Sequence, residues 1–278
     1  MVDMISNPKI VEIERIKKEN DDIKTFFVRM DGKAEPGNYV MLWVPWSKGK
    51  SKSKRIAIEP SDQIPISISS FKKGKIGLSV KNVGETTKAL HDFEAGDKIG
   101  ITGPLGNSFD ISGKKILIVA GSVGLAPLYF LGKVASEMGK QIYAIYGVKS
   151  KKELFLIKKL EKITEDIIIT TEDGSYQKEG CVTDFLLDFY DSSKIDSIYS
   201  CGPEPMMKRV LDFSLKKNVF SQFSLDRYIR CGVGLCGFCA IDGCRVCKDG
   251  PVFTSEQLKG FGEFGMVKRS KSGRVLDL

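Results

Sequence analysis

Five of the chain's seven cysteines fall between residues 230 and 253, in the stretch RCGVGLCGFCAIDGCRVCKDGPVF. Cys231, Cys236 and Cys239 have the spacing C-x4-C-x2-C. That run binds a plant-type [2Fe-2S] cluster, and one further thiolate completes its four ligands. Cys247 is the preferred fourth ligand: seven residues separate it from Cys239, enough for the chain to turn, and the turn signal Asp249-Gly250-Pro251 follows. Cys244 leaves only four residues for that turn and is expected to sit near the cluster without binding it. Gly232, Gly234 and Gly237 let the loop take left-handed conformations and close around sulfides that accept N–H bonds.

Other thiol chemistries stand beside this one. Cys236/Cys239 and Cys244/Cys247 also form two CxxC pairs, as in a zinc site, but four residues lie between them, where paired zinc knuckles usually have roughly 12 to 20. A disulfide framework belongs to small chains in oxidising compartments. A thioredoxin-type CxxC lacks its βα context here and leaves three neighbouring cysteines unexplained.

The rest of the chain must position this stretch. It has 278 residues, 42% hydrophobic and 28% charged, enough for two domains and a small module. MVDMISNPKI has no apolar run of a secretory signal. The longest uncharged stretch, 116–132, holds three glycines and Pro127 and is shorter than the roughly 20 apolar residues of a membrane span. With the clustered thiols, these features lead us to expect a reducing cytoplasm and no membrane partner. The net charge of +8 has its most local source in SKGKSKSKR at 47–55. Without aromatic residues to stack on bases, that run reads as a solvated loop, and no nucleic-acid partner is expected.

Short apolar runs at 10–16, 23–30, 39–44, 64–71, 76–82 and 98–102 predict strands of an antiparallel barrel, with one helix over 86–93. Beyond Ser112 the texture changes to strands at 115–120, 141–147, 166–171 and 197–201, interleaved with helices from Pro127 to about 138, over 182–190 and over 204–217. That alternation predicts an α/β domain with a parallel sheet. We therefore expect a mixed architecture: a β-barrel over 1–111, an α/β nucleotide domain over 112–222, and a cluster module with tail over 223–278, its polar end from Phe261 lying on the surface or fraying.

Two turns stand where a parallel sheet binds ligands, at the carboxyl ends of strands. Gly121-Ser122-Val123-Gly124-Leu125-Ala126-Pro127 leads from strand to helix and could offer N–H groups to a pyrophosphate, although it is not the full G-x-G-x-x-G fingerprint. Cys201-Gly202-Pro203-Glu204 repeats the strand-to-helix pattern, and both turns should open on one sheet edge. A tight turn or a small buried thiol accounts for these residues equally well. In the barrel, Ile64-Pro65-Ile66-Ser67-Ile68-Ser69 and Gly84-Glu85-Thr86-Thr87 could hold a phosphate, or could be a strand and a helix cap. His91, the one histidine, has no partnered nucleophile or carboxylate and reads as structural; no catalytic residue is assigned.

In this order, PISIS, GETT, GPLGNSF, GSVGLAP, CGPEPM and the cysteine run ending in VCKDGPVF resemble the ferredoxin reductase superfamily, and within it the electron-transfer subunits of class B dihydroorotate dehydrogenases. The likeness spans nearly the whole chain. It implies FAD on the barrel, NAD(H) on the α/β domain and a [2Fe-2S] cluster on Cys231, Cys236, Cys239 and Cys247. Carried over, Pro65, Ile66 and Ser67 contact flavin; Ser79, Val80 and Lys81 line its isoalloxazine and ribityl region; Gly84, Thr86 and Thr87 hold pyrophosphate; Gly121, Gly124, Cys201 and Gly202 serve the nicotinamide nucleotide. The partner implied is an FMN-containing dihydroorotate dehydrogenase catalytic subunit, in a heterotetramer serving pyrimidine biosynthesis.

The sequence departs from the family pattern at three places. Ile64 replaces the usual Arg, Lys81 puts a point charge where a bidentate Arg is often found, and the Lys-rich insertion after Trp46 is long. The alternatives are the reductase subunit of a hydrogenase, a ferredoxin:NADP reductase, and a zinc-stabilised binding module. Lys149, Lys151 and Lys152 could also accept the 2′-phosphate of NADP.

Overall fold

Alternating apolar residues in short strands build the first half of the protein, in a computed structural model that describes residues 8–45, 63–270 and 272–278. The Lys-rich run at 47–55 and Trp46 lie outside the described residues. Strands β1 (Lys9–Lys18), β2 (Ile23–Arg29), β3 (Tyr39–Trp43), β4 (Ile64–Lys72), β5 (Lys75–Lys81) and β6 (Lys98–Leu105) close into a barrel in the order β1-β2-β5-β4-β3-β6. Ile76, Leu78 and Val80 of β5 fill it with Phe26, Val28, Ile68 and Ile99, every second residue inward as the pleat requires. Helix α1 (Glu85–His91) adds Leu90 to that core. His91 lies against the Phe26 ring and hydrogen-bonds the Val80 carbonyl at 2.9 Å, a structural role.

The second half alternates strand and helix: β7 (Lys115–Gly121), α2 (Leu125–Glu137), β8 (Gln141–Val148), α3 (Ile157–Leu160), β9 (Asp166–Thr171), β10 (Lys178–Glu179), α4 (Leu186–Ser193), β11 (Ser197–Cys201), α5 (Glu204–Lys217) and β12 (Phe220–Ser224). The strands run parallel in the order β10-β9-β8-β7-β11-β12. Ile116 to Ala120 of β7 and the whole of β11 are buried because helices cover both faces, which is why these strands read as unbroken apolar runs. Helix α2 also faces the barrel, and its Phe130 belongs to the barrel core.

The cysteine segment is built from the hairpin β13 (Ala240–Ile241) and β14 (Cys244–Arg245), then α6 (Val246–Asp249), β15 (Val252–Thr254) and α7 (Ser255–Leu258). β15 adds antiparallel to β12, with Phe223 opposite Phe253, so the segment completes the edge of the nucleotide sheet. A boundary at residue 222 therefore passes through β12 itself. The tail lies on the surface, one of the two expectations, but it is ordered rather than frayed: Phe264 is fully buried against Phe223, and β16 (Val267–Arg269) pairs with β17 (Val275–Asp277), whose residues are exposed. One buried aromatic ring anchors a stretch whose composition is otherwise polar.

Two motifs far apart in sequence are joined by one side chain. The Asn107 amide donates to Val252 O at 2.8 Å and accepts the Val252 N–H at 2.9 Å, while the Asn107 backbone N–H donates to Gly250 O. The barrel exit loop and the DGPVF segment are thus paired as two strands would be. Asn107→Ala should lower stability by about 1–3 kcal/mol, because both main-chain groups of Val252 lose a part-buried partner; chemical denaturation checks it.

Candidate redox site

Three glycines shape the cysteine loop: Gly232, Gly234 and Gly237 all have positive φ, between +69° and +79°. The turns gather the four cysteines into one loop, where Cys231 Sγ meets the backbone of Leu235 and Cys239 Sγ that of Cys247. Among the described residues, no three His, Cys, Asp or Glu side chains converge on one ion-sized point. Backbone N–H groups aim at the sulfurs, from Gly234 to Cys247 Sγ at 3.2 Å, Leu235 to Cys231 Sγ at 3.3 Å and Cys247 to Cys239 Sγ at 3.4 Å. Such donors stabilise thiolates and tune a cluster. Cys244 lies on β14 opposite Ile241 and packs against the core.

The thiols respond to this setting. The Cys247 thiol donates to Cys239 and, with N–H groups of Cys247, Cys239 and Val246, holds Cys239 down at about 6 despite burial. Cys247 is pushed up by the same bond, by burial and by its neighbours' charge. Burial pushes Cys231 up, but N–H groups of Cys236, Val233 and Leu235 outweigh it and leave the thiol at about 7. The loop is a place where negative charge on sulfur is welcome and where cations are the natural complement.

The loop is seated on the barrel and on the sheet. A side chain at Gly232 would meet Met41 and Leu105, and one at Gly106 would meet Pro251. Tyr39, 2% exposed on β3, donates its hydroxyl to Cys247 O at 3.0 Å, with Gly232 O at 3.4 Å. Burial, then the charge of Cys247, Cys239 and Cys231, pushes the Tyr39 phenol up, so the hydroxyl stays protonated and donates. On the far side, Arg227 and Glu204 form a buried pair, Nε to Oε1 at 2.5 Å and Nη2 to Oε2 at 2.6 Å, and the Gly265 N–H also donates to Oε2 at 3.1 Å. This pair ties the loop's approach to the first turn of α5 and to the tail.

The two βα turns meet back to back. Gly202, at φ +151°, brings its Cα so near the Gly121 backbone that a Cβ would stand 2.8 Å from Gly121 N, and a Cβ on Gly124 would strike the Cys201 carbonyl. Close packing alone explains these glycines, and it also sets both turns on one sheet edge. Cys201 is buried beneath them; burial, with the Asp226 carboxylate nearby, pushes its thiol up to about 12.

The barrel residues fall around the same side, with roles the sequence did not specify. The Ser79 hydroxyl is spent inside a buried chain, donating to Ser69 Oγ at 3.0 Å and meeting Thr25 Oγ1 at 2.9 Å. Val80 points into the barrel core. Thr87 Oγ1 accepts the N–H groups of Val83 and Gly84 and donates to Gly84 O, so it shapes the turn that presents Gly84, Glu85 and Thr86. Pro65, Ile66 and Ser67 lie half-buried on β4, and Ile64 beside them pairs with Leu42. Lys81 crosses to the nucleotide half, reaching Glu153 Oε2 at 2.8 Å and Ser122 Oγ at 3.3 Å. Backbone and the half-buried side chains on this rim are what could touch a flavin. Sequence reasoning missed Tyr39, Asn107 and the Glu204–Arg227 pair, because their partners lie 23 to 208 residues away and leave no local pattern.

Relatives bear on this geometry. Residues 226–259 match the iron-sulfur cluster binding domain of dihydroorotate dehydrogenase B, and 118–212 match an oxidoreductase NAD-binding domain. A protein of Methanocaldococcus jannaschii described as a probable dihydroorotate dehydrogenase B (NAD(+)), electron transfer subunit, is 38% identical over 98% of this chain and 99% of its own. One of Methanocella arvoryzae with the same description is 40% identical over 96% and 98%. The chain belongs to the electron transfer subunits of dihydroorotate dehydrogenase B. Among solved structures, an NADH-dependent reduced ferredoxin-NADP oxidoreductase superposes with TM-score 0.75 at 28% identity, covering 89% of each chain. The FAD/NAD-binding domain of a Vibrio cholerae nitric oxide dioxygenase shares the fold alone, at TM-score 0.62 and 18% identity over 77% of this chain. The family thus joins a reductase barrel and nucleotide sheet to a carboxy-terminal cluster segment, the architecture described above.

The two cysteines outside the loop should differ in reactivity. Native protein treated with iodoacetamide near pH 8 should be alkylated at the exposed Cys181, while Cys201 stays protonated until the pH nears 12 and stays unlabelled; peptide mass spectrometry reads both.

Proposed function

We propose that this chain relays electrons between NAD(H) and a separate FMN-containing dihydroorotate dehydrogenase catalytic subunit, within a heterotetramer in a reducing cytoplasm. The observation that carries the reading is the glycine-turned loop that holds Cys231, Cys236, Cys239 and Cys247, with backbone N–H groups on three of their sulfurs, clamped to both the barrel and the nucleotide sheet. Family membership supports it. Bound here, a flavin takes two electrons as hydride from a nicotinamide and a cluster passes them singly.

The protein's own residues bind and orient. Cys231, Cys236, Cys239 and Cys247 would hold the cluster. The β4 segment Pro65, Ile66 and Ser67 and the β5 end at Ser79, Val80 and Lys81 would bound the flavin, Ser79 and Val80 through their main chain. Gly84 and Thr86 would present N–H groups to its pyrophosphate, on the turn that Thr87 shapes. The paired turns at Gly121, Gly124, Cys201 and Gly202 would receive the nicotinamide nucleotide at the sheet edge. None of these groups is set to move a substrate proton, which supports a dihydroorotate site on the partner.

Electrons would leave where the cluster loop reaches solvent. Leu235, 74% exposed, stands between two ligands beside exposed Cys236 and Gly237. Phe238 packs edge-on against Tyr228 and under Arg230. An exposed leucine in the same loop as a stack of Tyr, Phe and Arg, residue types enriched in interface centres, marks this face for a partner.

Anaerobically purified protein should show flavin and iron–sulfur absorption, with two irons and two sulfides per FAD; colourless protein holding zinc overturns the proposal. Cys236→Ser should abolish the cluster absorption while NADH still bleaches the flavin. Leu235→Asp should weaken co-elution with the catalytic subunit by about tenfold or more, since an unpaired carboxylate taken out of water at an interface costs several kcal/mol. A ferredoxin-NADP oxidoreductase is the second reading, favoured by the solved structure that is 28% identical; a preference for NADPH over NADH as reductant would select it.

A further inference from the structure

Tyr39 occupies a place that neither the cluster ligands nor the flavin-binding residues account for. Its main chain lies on β3 directly opposite Ser67 of β4, and the neighbouring Asn38 O accepts the Ile68 N–H at 3.0 Å. Its side chain runs the other way, out of the barrel rim and into the cysteine loop. There its one hydroxyl proton reaches the carbonyl of Cys247 at 3.0 Å and that of Gly232 at 3.4 Å. Those two carbonyls belong to the opposite walls of the loop: Gly232 follows Cys231, and Cys247 sits on α6. The N–H of Cys247 in turn donates to Cys239 Sγ. A single residue therefore has its backbone in the strand pair proposed to touch flavin and its hydroxyl on the main chain of a cluster ligand. The ring is 2% exposed and is wedged beside Gly106, where a Cβ would stand 3.0 Å from Tyr39 Cε1.

We propose that Tyr39 is a positioning residue that closes the cluster loop and sets its distance and orientation to the flavin-bearing strand β4. The inference rests on the reading that FAD lies at Ser67 and a [2Fe-2S] cluster lies on the four cysteines. A hydroxyl shared by both walls resists their parting, together with the Gly234 N–H on Cys247 Sγ and the Arg245 guanidinium on Gly234 O at 2.9 Å, in a loop whose glycines favour opening. Because the hydroxyl holds the carbonyl of a ligand residue, it also sets the angle at which that sulfur meets iron.

The test compares wild-type and Tyr39→Phe holoprotein, prepared anaerobically. Three readouts are taken: iron loss to a chelator, the electron paramagnetic resonance spectrum of the dithionite-reduced cluster, and the lag between flavin and cluster absorbance changes after mixing with NADH. In that last reaction NADH gives a hydride to the flavin; one of its two electrons then takes one ferric iron of the cluster to ferrous, and the other stays on the flavin with the transferred hydrogen. Tyr39→Phe should lose iron faster and lengthen the lag by about three- to tenfold, the scale of one hydrogen bond, with shifted g-values. A second variant with 3-fluorotyrosine at position 39 keeps the ring and strengthens the donor, and should slow iron loss. Wild-type protein with neither iron nor flavin overturns the functional reading and this inference with it. Loaded Tyr39→Phe protein that matches wild type in iron loss, spectrum and lag overturns the inference alone.

Discussion

The cysteine loop has no core of its own, and the rest of the molecule is arranged to hold it. Its glycines let it turn around a compact group, yet the same freedom means that it must be fixed from outside. Tyr39, Met41 and Leu105 of the barrel press on one side, and β15 fastens the other to the edge of the nucleotide sheet. The buried Glu204–Arg227 pair adds a third anchor. A buried ion pair contributes little net stability, but breaking one side leaves a stranded charge, so its value lies in registering three segments against one another.

A second constraint, the contact of two glycine turns, gathers the chemistry on one side of the sheet. Parallel strands β7 and β11 are neighbours, so their carboxyl ends must emerge together, and only residues without side chains allow the turns to touch. The barrel rim then meets this edge through Lys81, whose ammonium reaches both Ser122 and Glu153. Barrel rim and glycine turns are thereby joined, and the cysteine loop sits on the same barrel through Met41 and Leu105, an arrangement that supports a relay of two-electron and one-electron carriers.

Several residues with side chains suited to binding do their work indirectly. Ser79 and Thr87 read in sequence as hydroxyls for a cofactor, but both hydroxyls are satisfied within the protein. The buried Ser69–Ser79–Thr25 chain fixes neighbouring strands, and Thr87 fixes the turn before α1. Burial explains the difference: a hydroxyl shut away from water costs free energy unless it is paired, so the fold pairs it at once.

Local chemistry made much of this legible from the chain alone. Cysteine spacing, the period-two strands of the barrel, the apolar strands of the parallel sheet and the glycine turns depend on residues within a few positions of each other, and a sequence displays such patterns directly. The proposed choice of Cys247 over Cys244 comes from turn length, and the hairpin of β13 and β14 lies between Cys239 and Cys247. What tertiary structure decided is everything that joins distant segments: Tyr39 on Cys247, Asn107 on Val252, Arg227 on Glu204, Phe264 on Phe223. These contacts have no period and no spacing. They exist because a barrel, a sheet edge and a flexible loop share one volume, and which side chains meet there follows from packing in three dimensions rather than from order along the chain.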